Sequence, residues 1–323
     1  MKAVVLSHTG TPGVLHVSEV SLPSIKSGWV LIKIKAFGLN RSELMMRAYE
    51  ANEPYIKLPR ILGIECVGEI ADGSDTGFHK GQKVIALMGG MGRSFDGSYA
   101  EYALLPAKNV FTVDTDLSWE ELAAIPETYF TAWGSLFESL QLKADDILLV
   151  RGGTSAAGLA AIQLAKTTGA SVLASTRKKE KSNLLLDAGA DHVVIDNGKL
   201  KLQVMAIFPK GITKVLELIG PATLSESLSM VKKHGIVCMT GILGKKSIID
   251  NFYPIKDIPS GVYLTGFSSN TPTQEAIDKL FTRIKEFHLK PRIAAILPLE
   301  EIAQAHQLME DNQANGKVII NIH

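Results

Sequence analysis

The residues Val150-Arg151-Gly152-Gly153-Thr154-Ser155-Ala156-Ala157-Gly158 carry the clearest chemical signal in the chain. They follow an apolar run beginning at Ile147 and open an alanine-rich, helical segment. In that setting small residues let the backbone approach a pyrophosphate. The free N–H groups and dipole of the helix end then stabilise its charge. Against the pattern GxGxxG, Gly153 and Gly158 fit, while Ser155 stands in place of the middle glycine. Thr154 and Ala156 complete the turn. Taken alone, such a turn also suits a tight strand–helix connection that binds nothing.

The end of the next strand sharpens the reading. A dinucleotide without a 2′-phosphate is usually held by Asp or Glu about 20 residues past the turn, accepting from the ribose hydroxyls. Here that place holds Ser175-Thr176-Arg177-Lys178-Lys179-Glu180-Lys181. A neutral threonine followed by a cationic cluster suits a 2′-phosphate. A merely solvated basic helix start is disfavoured, because the helix dipole prefers anions there.

These groups need elements to position them. Residues up to about 120 read as short β-prone runs punctuated by Gly, Pro, Asp and Ser: Val4 to Leu6, Trp29 to Phe37, Glu65 to Ala71, Val84 to Leu87 and Tyr99 to Leu105. The glycine-rich segment 88–102 lacks a strand-to-helix setting and reads as a surface loop. From Trp119 the pattern turns helical, with Pro126 as a break or kink. After Ile147, strands alternate with helices, which predicts a doubly wound parallel sheet. The tail adds two helices and a closing strand, Lys317 to Ile322. The expected division is residues 1–120 plus 268–323 as one domain and 121–267 as the nucleotide-binding one.

Bulk composition excludes several function classes. The chain has 323 residues, 46% hydrophobic and 21% charged, with a formal net charge of +1. That is ordinary globular composition, and no basic field invites nucleic acid or an anionic membrane. The N-terminus lacks a signal-peptide layout, and the apolar stretches fall short of the ~18 residues that suggest a membrane span. The two cysteines, Cys66 and Cys238, lie far apart and make neither a metal pair nor a disulfide framework. A cytoplasmic protein is expected.

The chain resembles the medium-chain dehydrogenases/reductases, specifically their zinc-independent, zeta-crystallin-like quinone oxidoreductase branch. The likeness spans nearly the whole chain. It rests on GLNRSELMMR (38–47), LPRILGIECVGEI (58–70), GSYAEYALLP (97–106), IPETYFTAWGSL (125–136), the turn with AAIQLAK, LDAGADHVVI (186–195) and the closing GKVIINI. The resemblance implies a Rossmann-like parallel sheet inserted into a GroES-like, mainly-β domain, with the active cleft between them, and a homodimer formed through nucleotide-domain sheet edges. It aligns the family's catalytic-zinc cysteine with Asn40, its histidine with Ile64 and its third ligand with about Glu127. Glu65 matches the acidic neighbour of the metal, and the structural-zinc cysteine loop is absent. No metal is therefore expected. The resemblance further implies Thr131 facing the nicotinamide, Gly153, Ser155 and Gly158 at the pyrophosphate, Thr176, Arg177 and Lys181 at the adenosine phosphate, and Thr240-Gly241-Ile242 and Gly266-Phe267 flanking the nicotinamide ring. A tyrosine of some relatives is Asp196 here, a carboxylate that would repel the phosphate if it lay close.

Without zinc, alcohol dehydrogenation loses its Lewis acid. Conjugated acceptors remain feasible, because the charge created by hydride addition spreads onto a distant oxygen that a hydrogen-bond donor can stabilise. Asn40 offers an amide N–H, Tyr49 and Tyr129 phenolic protons, and Arg47 a cation. Local aromatic packing is an equal reading for the two tyrosines. The expectation is an NADPH-dependent reductase of quinones or α,β-unsaturated carbonyls. An enoyl-thioester reductase, or an NADPH-binding protein with structural or regulatory use, stands as the alternative.

Overall fold

The computed structural model describes residues 1–322 and divides into two compact units, Met1–Glu127 with Asn270–His323, and Thr128–Ser269.

In the second unit every strand pairs in parallel, in the spatial order His192–Ile195, Ser171–Thr176, Ile147–Arg151, Ile212–Glu217, Val231–Met239, Tyr263–Gly266. Numbered along the chain this is 3-2-1-4-5-6, the Rossmann order. The order reverses between Ile147–Arg151 and Ile212–Glu217, and ligands of such sheets bind beyond the strand ends at that crevice. The central strands are buried on both faces, which explains their continuous apolar runs rather than alternation.

Some helices are shorter than their patterns suggest. The stretch from Lys179 forms a 3₁₀ turn, Lys179–Lys181, before the helix Ser182–Asp187. A cationic start opposes the helix dipole, so the α-helix begins only after it. The helix Leu224–Ser229 stops early because Val231 already begins a strand. Pro126 separates the helix Trp119–Ala123 from Pro126–Trp133, which runs on into a π-helical turn, Gly134–Ser139.

The first unit holds a seven-stranded sheet in the order Ile293–Pro298, Lys317–Asn321, Trp29–Gly38, Glu65–Asp72, Lys83–Leu87, Val110–Thr112, with Tyr102–Pro106 also paired to Trp29–Gly38. A second sheet joins Val17–Glu19, Lys2–Leu6 and Arg60–Ile61. Their inner faces enclose a core built on Ile32, Ile34, Phe37, Leu62, Tyr99 and Ile320. The segment 88–101 is turn, with Gly89, Gly90 and Gly92 at positive φ, and it opens no helix. The architecture is a Rossmann-like parallel sheet inserted into a GroES-like, mainly-β unit. Among the described residues no helix is long and apolar enough to cross a membrane.

Candidate active site

Register brings three distant residues of the first unit together. Trp29–Gly38 pairs antiparallel with Glu65–Asp72 and with Lys317–Asn321, Gly38 standing opposite Ile319. Asn40 follows the end of the first strand, Glu65 begins the second and Lys317 begins the third. The Lys317 Nζ lies 2.6 Å from Glu65 Oε1 and donates to Asn40 Oδ1 at 2.6 Å. Asn40 Nδ2 donates to the same Glu65 oxygen at 2.8 Å and lies a long 3.5 Å from the Gly38 carbonyl. Glu65 Oε2 accepts from the Glu127 backbone N–H at 2.7 Å. Lys317 is 2% exposed and Glu65 0%. Burial of such a pair requires that each charge be matched, and here it is. Gly38 makes room: a Cβ there would run into the Lys317 side chain and lie 2.8 Å from both Glu65 Oε1 and the Ala123 carbonyl.

Glu43 completes the cluster. In the first turn of the helix Arg41–Ala48, it accepts from the backbone N–H groups of Asn40 at 2.5 Å and Ile64 at 3.1 Å. Burial and the nearby Glu65 carboxylate push it up to about 7, against Lys317 and those two donors. Beneath the same helix His306 bonds Tyr99 through Nε2 at 2.8 Å. Burial, reinforced by Arg47, pushes His306 down to about 3.

These two groups pull stability in opposite directions. Glu43, raised above its unfolded value of about 4.5, stabilises the fold below that value, and the contribution is lost as pH rises through about 7. His306, depressed from about 6.5, stabilises above that value, and the contribution is lost as pH falls towards about 3. Between about 4.5 and 6.5 the slopes, each up to ~1.4 kcal/mol per pH unit, oppose one another. Glu43→Gln should therefore unmask a steeper rise of stability with pH across that window. Urea unfolding of both proteins at several pH values measures it; parallel profiles would refute the assignment.

The other expected acid groups lie in different surroundings. Tyr49 is 56% exposed at the end of the helix Arg41–Ala48. Tyr129 is buried, its hydroxyl donating to Gln163 Oε1 at 2.5 Å, and burial pushes its phenol well up. Its hydroxyl is thus satisfied by packing neighbours. Arg47, expected to meet an oxyanion, is buried and ion-paired with Glu310. A guanidinium enclosed in the core has no open face to offer a substrate, so Arg47 takes no part in the reading below.

In the second unit the glycine-rich turn joins the strand Ile147–Arg151 to the helix Ala156–Lys166. Gly152, outside the aligned pattern, takes φ +91°, which a side chain would strain. A Cβ on Gly158 would lie 2.6 Å from the Gly152 carbonyl, so only glycine lets this helix approach the strand end. Ser155 caps the helix Ala156–Lys166, accepting from Gly158 N at 3.1 Å and donating to the Gly152 carbonyl at 2.9 Å. The serine in place of the middle glycine thus belongs to the helix end. Gly153, Thr154 and Ala156 form the rest of the turn.

Thr176 ends its strand buried, with Oγ1 accepting from Lys178 N at 3.1 Å. Arg177 is exposed and Lys181 half-buried. Burial, together with the like charges of Lys178 and Arg177, lowers the Lys181 pKa. At the other strand ends, Ser135 Oγ donates to the Thr131 carbonyl at 2.7 Å and lies 2.9 Å from Thr240 Oγ1, which touches Cys238 Sγ at 3.3 Å. A Cβ on Gly241 would lie 2.8 Å from the Leu218 Cα, so the turn through Ile242 packs backbone to backbone. Gly266 accepts from Ser139 Oγ at 3.2 Å, and the Phe267 ring packs edge-on against Phe130 and over Gly134. These residues flank the ends of the strands Val231–Met239 and Tyr263–Gly266.

A zinc ion does not fit the first unit's cluster. It needs three or four N, S or carboxylate ligands. Asn40 and Ile64 supply neither thiolate nor imidazole, and the Glu65 carboxylate is held by the Lys317 ammonium. Among the described residues no three His, Cys, Asp or Glu side chains gather as a metal site. The two cysteines are buried, and burial raises both thiol pKa values.

Comparison with known proteins agrees with this architecture. Residues 26–115 match the family described as alcohol dehydrogenase GroES-like domain, and residues 156–286 the one described as zinc-binding dehydrogenase. The quinone oxidoreductase of Homo sapiens is 32% identical over 99% of this chain and 97% of its own. A crystal structure of an NAD-dependent alcohol dehydrogenase superposes with a TM-score of 0.90 at 27% identity, covering 100% of both chains. A mycobacterial protein solved in complex with NADPH superposes with a TM-score of 0.87 at 26% identity, covering 99% of each. The chain belongs to the quinone oxidoreductase branch of the medium-chain dehydrogenases/reductases.

Proposed function

We propose that this oxidoreductase uses NADPH to reduce quinones or α,β-unsaturated carbonyls, without zinc. The observation that carries the reading is the end of the strand Ser171–Thr176, where a neutral Thr176 precedes the exposed Arg177 and the crowded Lys181. A dianionic 2′-phosphate relieves that crowding of like charge. The mycobacterial neighbour solved with NADPH supports the same choice.

The residues would hold the cofactor as follows. The turn from Gly152 to Gly158 and the helix end behind it receive the pyrophosphate, and Thr176, Arg177 and Lys181 the adenosine phosphate. Thr131, the Thr240–Ile242 turn and the Gly266-Phe267 pair bound the nicotinamide place. NADPH supplies the hydride when bound. The protein's part is to hold the acceptor oxygen against a donor as negative charge grows on it. Lys317 and Glu65 fix both ends of the Asn40 amide, so one N–H, bonded only weakly to the Gly38 carbonyl, keeps a set direction. The carbon proton comes from solvent or from the exposed Tyr49 hydroxyl.

The test is oxidation of NADPH and NADH against a panel of benzoquinones and enones, with metal analysis of the same preparation. Steady NADPH turnover, insensitive to chelator, is expected. Turnover with no acceptor would leave a cofactor-binding role, and about one zinc per chain with chelator-sensitive activity would refute zinc independence. Asn40→Ala should lower kcat by ~10-fold while NADPH binding holds. A wild-type kcat on several acceptors would remove Asn40 from the mechanism. Tyr49→Phe tests the proton donor separately, since it keeps the ring.

A further inference from the structure

Arg151 ends the strand Ile147–Arg151, immediately before the Gly152 turn, and is 1% exposed. Every guanidinium donor group is engaged. Nε and Nη2 hold the two oxygens of Asp196 at 2.8 and 3.0 Å. Nη2 also donates to Glu226 at 2.6 Å, while Nη1 donates to the Thr223 carbonyl and to Ser227 Oγ, each at 3.0 Å. Burial works against the charged form, but Asp196, Glu217 and Glu226 outweigh it and raise the Arg151 pKa. A bidentate arginine–carboxylate pair of this kind is among the stronger contacts available to a protein. Glu217 is separately committed, accepting from Ser227 Oγ at 2.5 Å and from the Ile219 and Gly220 N–H groups at 2.8 and 3.0 Å.

Asp196 is the partner that bears on the cofactor. Its backbone N–H donates to the Thr176 carbonyl at 2.8 Å, and Ile195 stands in register with Thr176. The carboxylate therefore arises beside the strand end whose next residue is Arg177. An unpartnered carboxylate at that place repels a phosphate dianion and competes for the cations meant for it. With both its oxygens held by Arg151, Asp196 is turned towards the helix Leu224–Ser229, in an ion cluster that it shares with Glu226 and, at 4.0 Å, Glu217.

We propose that Arg151 is a specificity-determining residue, which captures Asp196 and so keeps the strand end open to a 2′-phosphate. The proposal rests on the NADPH reading above. It makes the two positions interdependent: aspartate at 196 is compatible with the phosphate because arginine stands at 151.

Direct titration of NADPH and NADH, followed by nicotinamide fluorescence, tests this independently of turnover. Arg151→Leu should weaken NADPH binding by about tenfold and NADH binding by less than about threefold. Adding Asp196→Asn to that variant should return NADPH affinity to within about threefold of the wild type, because the coupled pair is removed together. Asp196→Asn alone should change either affinity by less than about threefold, because Arg151 already holds both carboxylate oxygens away from the phosphate place. Should Arg151→Leu not fold, Arg151→Lys serves: it keeps one charge, loses the fork, and should show a smaller NADPH defect that Asp196→Asn reverses. A double variant that stays weak would mean that Arg151 acts through the turn itself, and the proposal falls. A tenfold gain in NADPH affinity from Asp196→Asn alone would mean the carboxylate was never neutralised, with the same consequence. An NADPH-preferring wild type whose ratio is unmoved by Arg151→Leu overturns this proposal alone. A wild type that binds both cofactors equally overturns it together with the NADPH reading.

Discussion

Lys317→Met is expected to lower stability by ~3–5 kcal/mol, the cost of leaving a buried charge without its partner. Glu65 would be left fully enclosed, with the Asn40 amide and the Glu127 N–H as the contacts that remain from its present set. Two carboxylates, Glu43 and Glu65, would then share one dry space with no cation between them. Against the 5–15 kcal/mol stability of a typical folded protein this is a large fraction. Glu65→Gln in the same chain should recover much of the loss, since it removes the stranded charge while keeping an amide for Asn40. Denaturant unfolding of the wild type, the single variant and the double variant measures both effects. A loss below about 1 kcal/mol for Lys317→Met would mean that the pair is solvated in solution and contributes as a surface pair does. The fraction that remains folded should also show a lower kcat, because the Asn40 amide is then free to rotate.

The second large effect concerns the cofactor. The pair of changes Thr176→Asp and Arg177→Ala is expected to move the NADPH to NADH ratio of kcat/KM towards NADH by about ten-fold to a hundred-fold. Aspartate at 176 would introduce both a ribose-diol acceptor and a repulsive charge, and the second change would remove a planar donor suited to phosphate oxygens. Lys181→Ala should subtract a smaller amount, since a mobile ammonium makes a less directed contact. Arg177 is exposed, so its contribution will weaken with salt, and the comparison belongs at one moderate ionic strength. Equal use of both cofactors by the wild type would show that the cations are a solvated helix start.

The Rossmann-like sheet was largely legible from the chain, because its signals are local. A strand, a small-residue turn and a helix follow one another directly in the sequence, and the next strand end lies a short, regular distance away. The continuous apolar runs reported strands buried on both faces. Even so, the role of Ser155 as a helix cap and the positive φ of Gly152 emerged only with the backbone path.

The first unit's cluster was legible in part. Asn40 and Ile64 cannot supply a thiolate or an imidazole, and that is legible from residue type alone, since no fold turns an isoleucine into a ligand. Glu43, three residues after Asn40, has the local sign of a helix-start carboxylate, but nothing near it in the chain shows that it is buried. Lys317 gave no local sign, because a lysine opening a terminal strand is normally solvated.

What the sequence by itself determined is the residue types on offer: a glycine-rich strand–helix turn, a strand end without an acid, and Asn40 and Ile64 in place of a thiolate and an imidazole. What only the tertiary structure decided is which side chains are enclosed and with whom. Tyr49 and Tyr129 are the same residue type, yet one lies open and the other is sealed against Gln163. Arg47, expected to meet an oxyanion, and Arg151, quoted only as part of the turn, are both buried, on Glu310 and on Asp196 with Glu226. The physical reason is that pairing between distant segments is set by sheet register and by the desolvation of charge. Lys317 meets Glu65 because both of their strands pair with Trp29–Gly38, and once water is excluded an ion must find its counter-ion there.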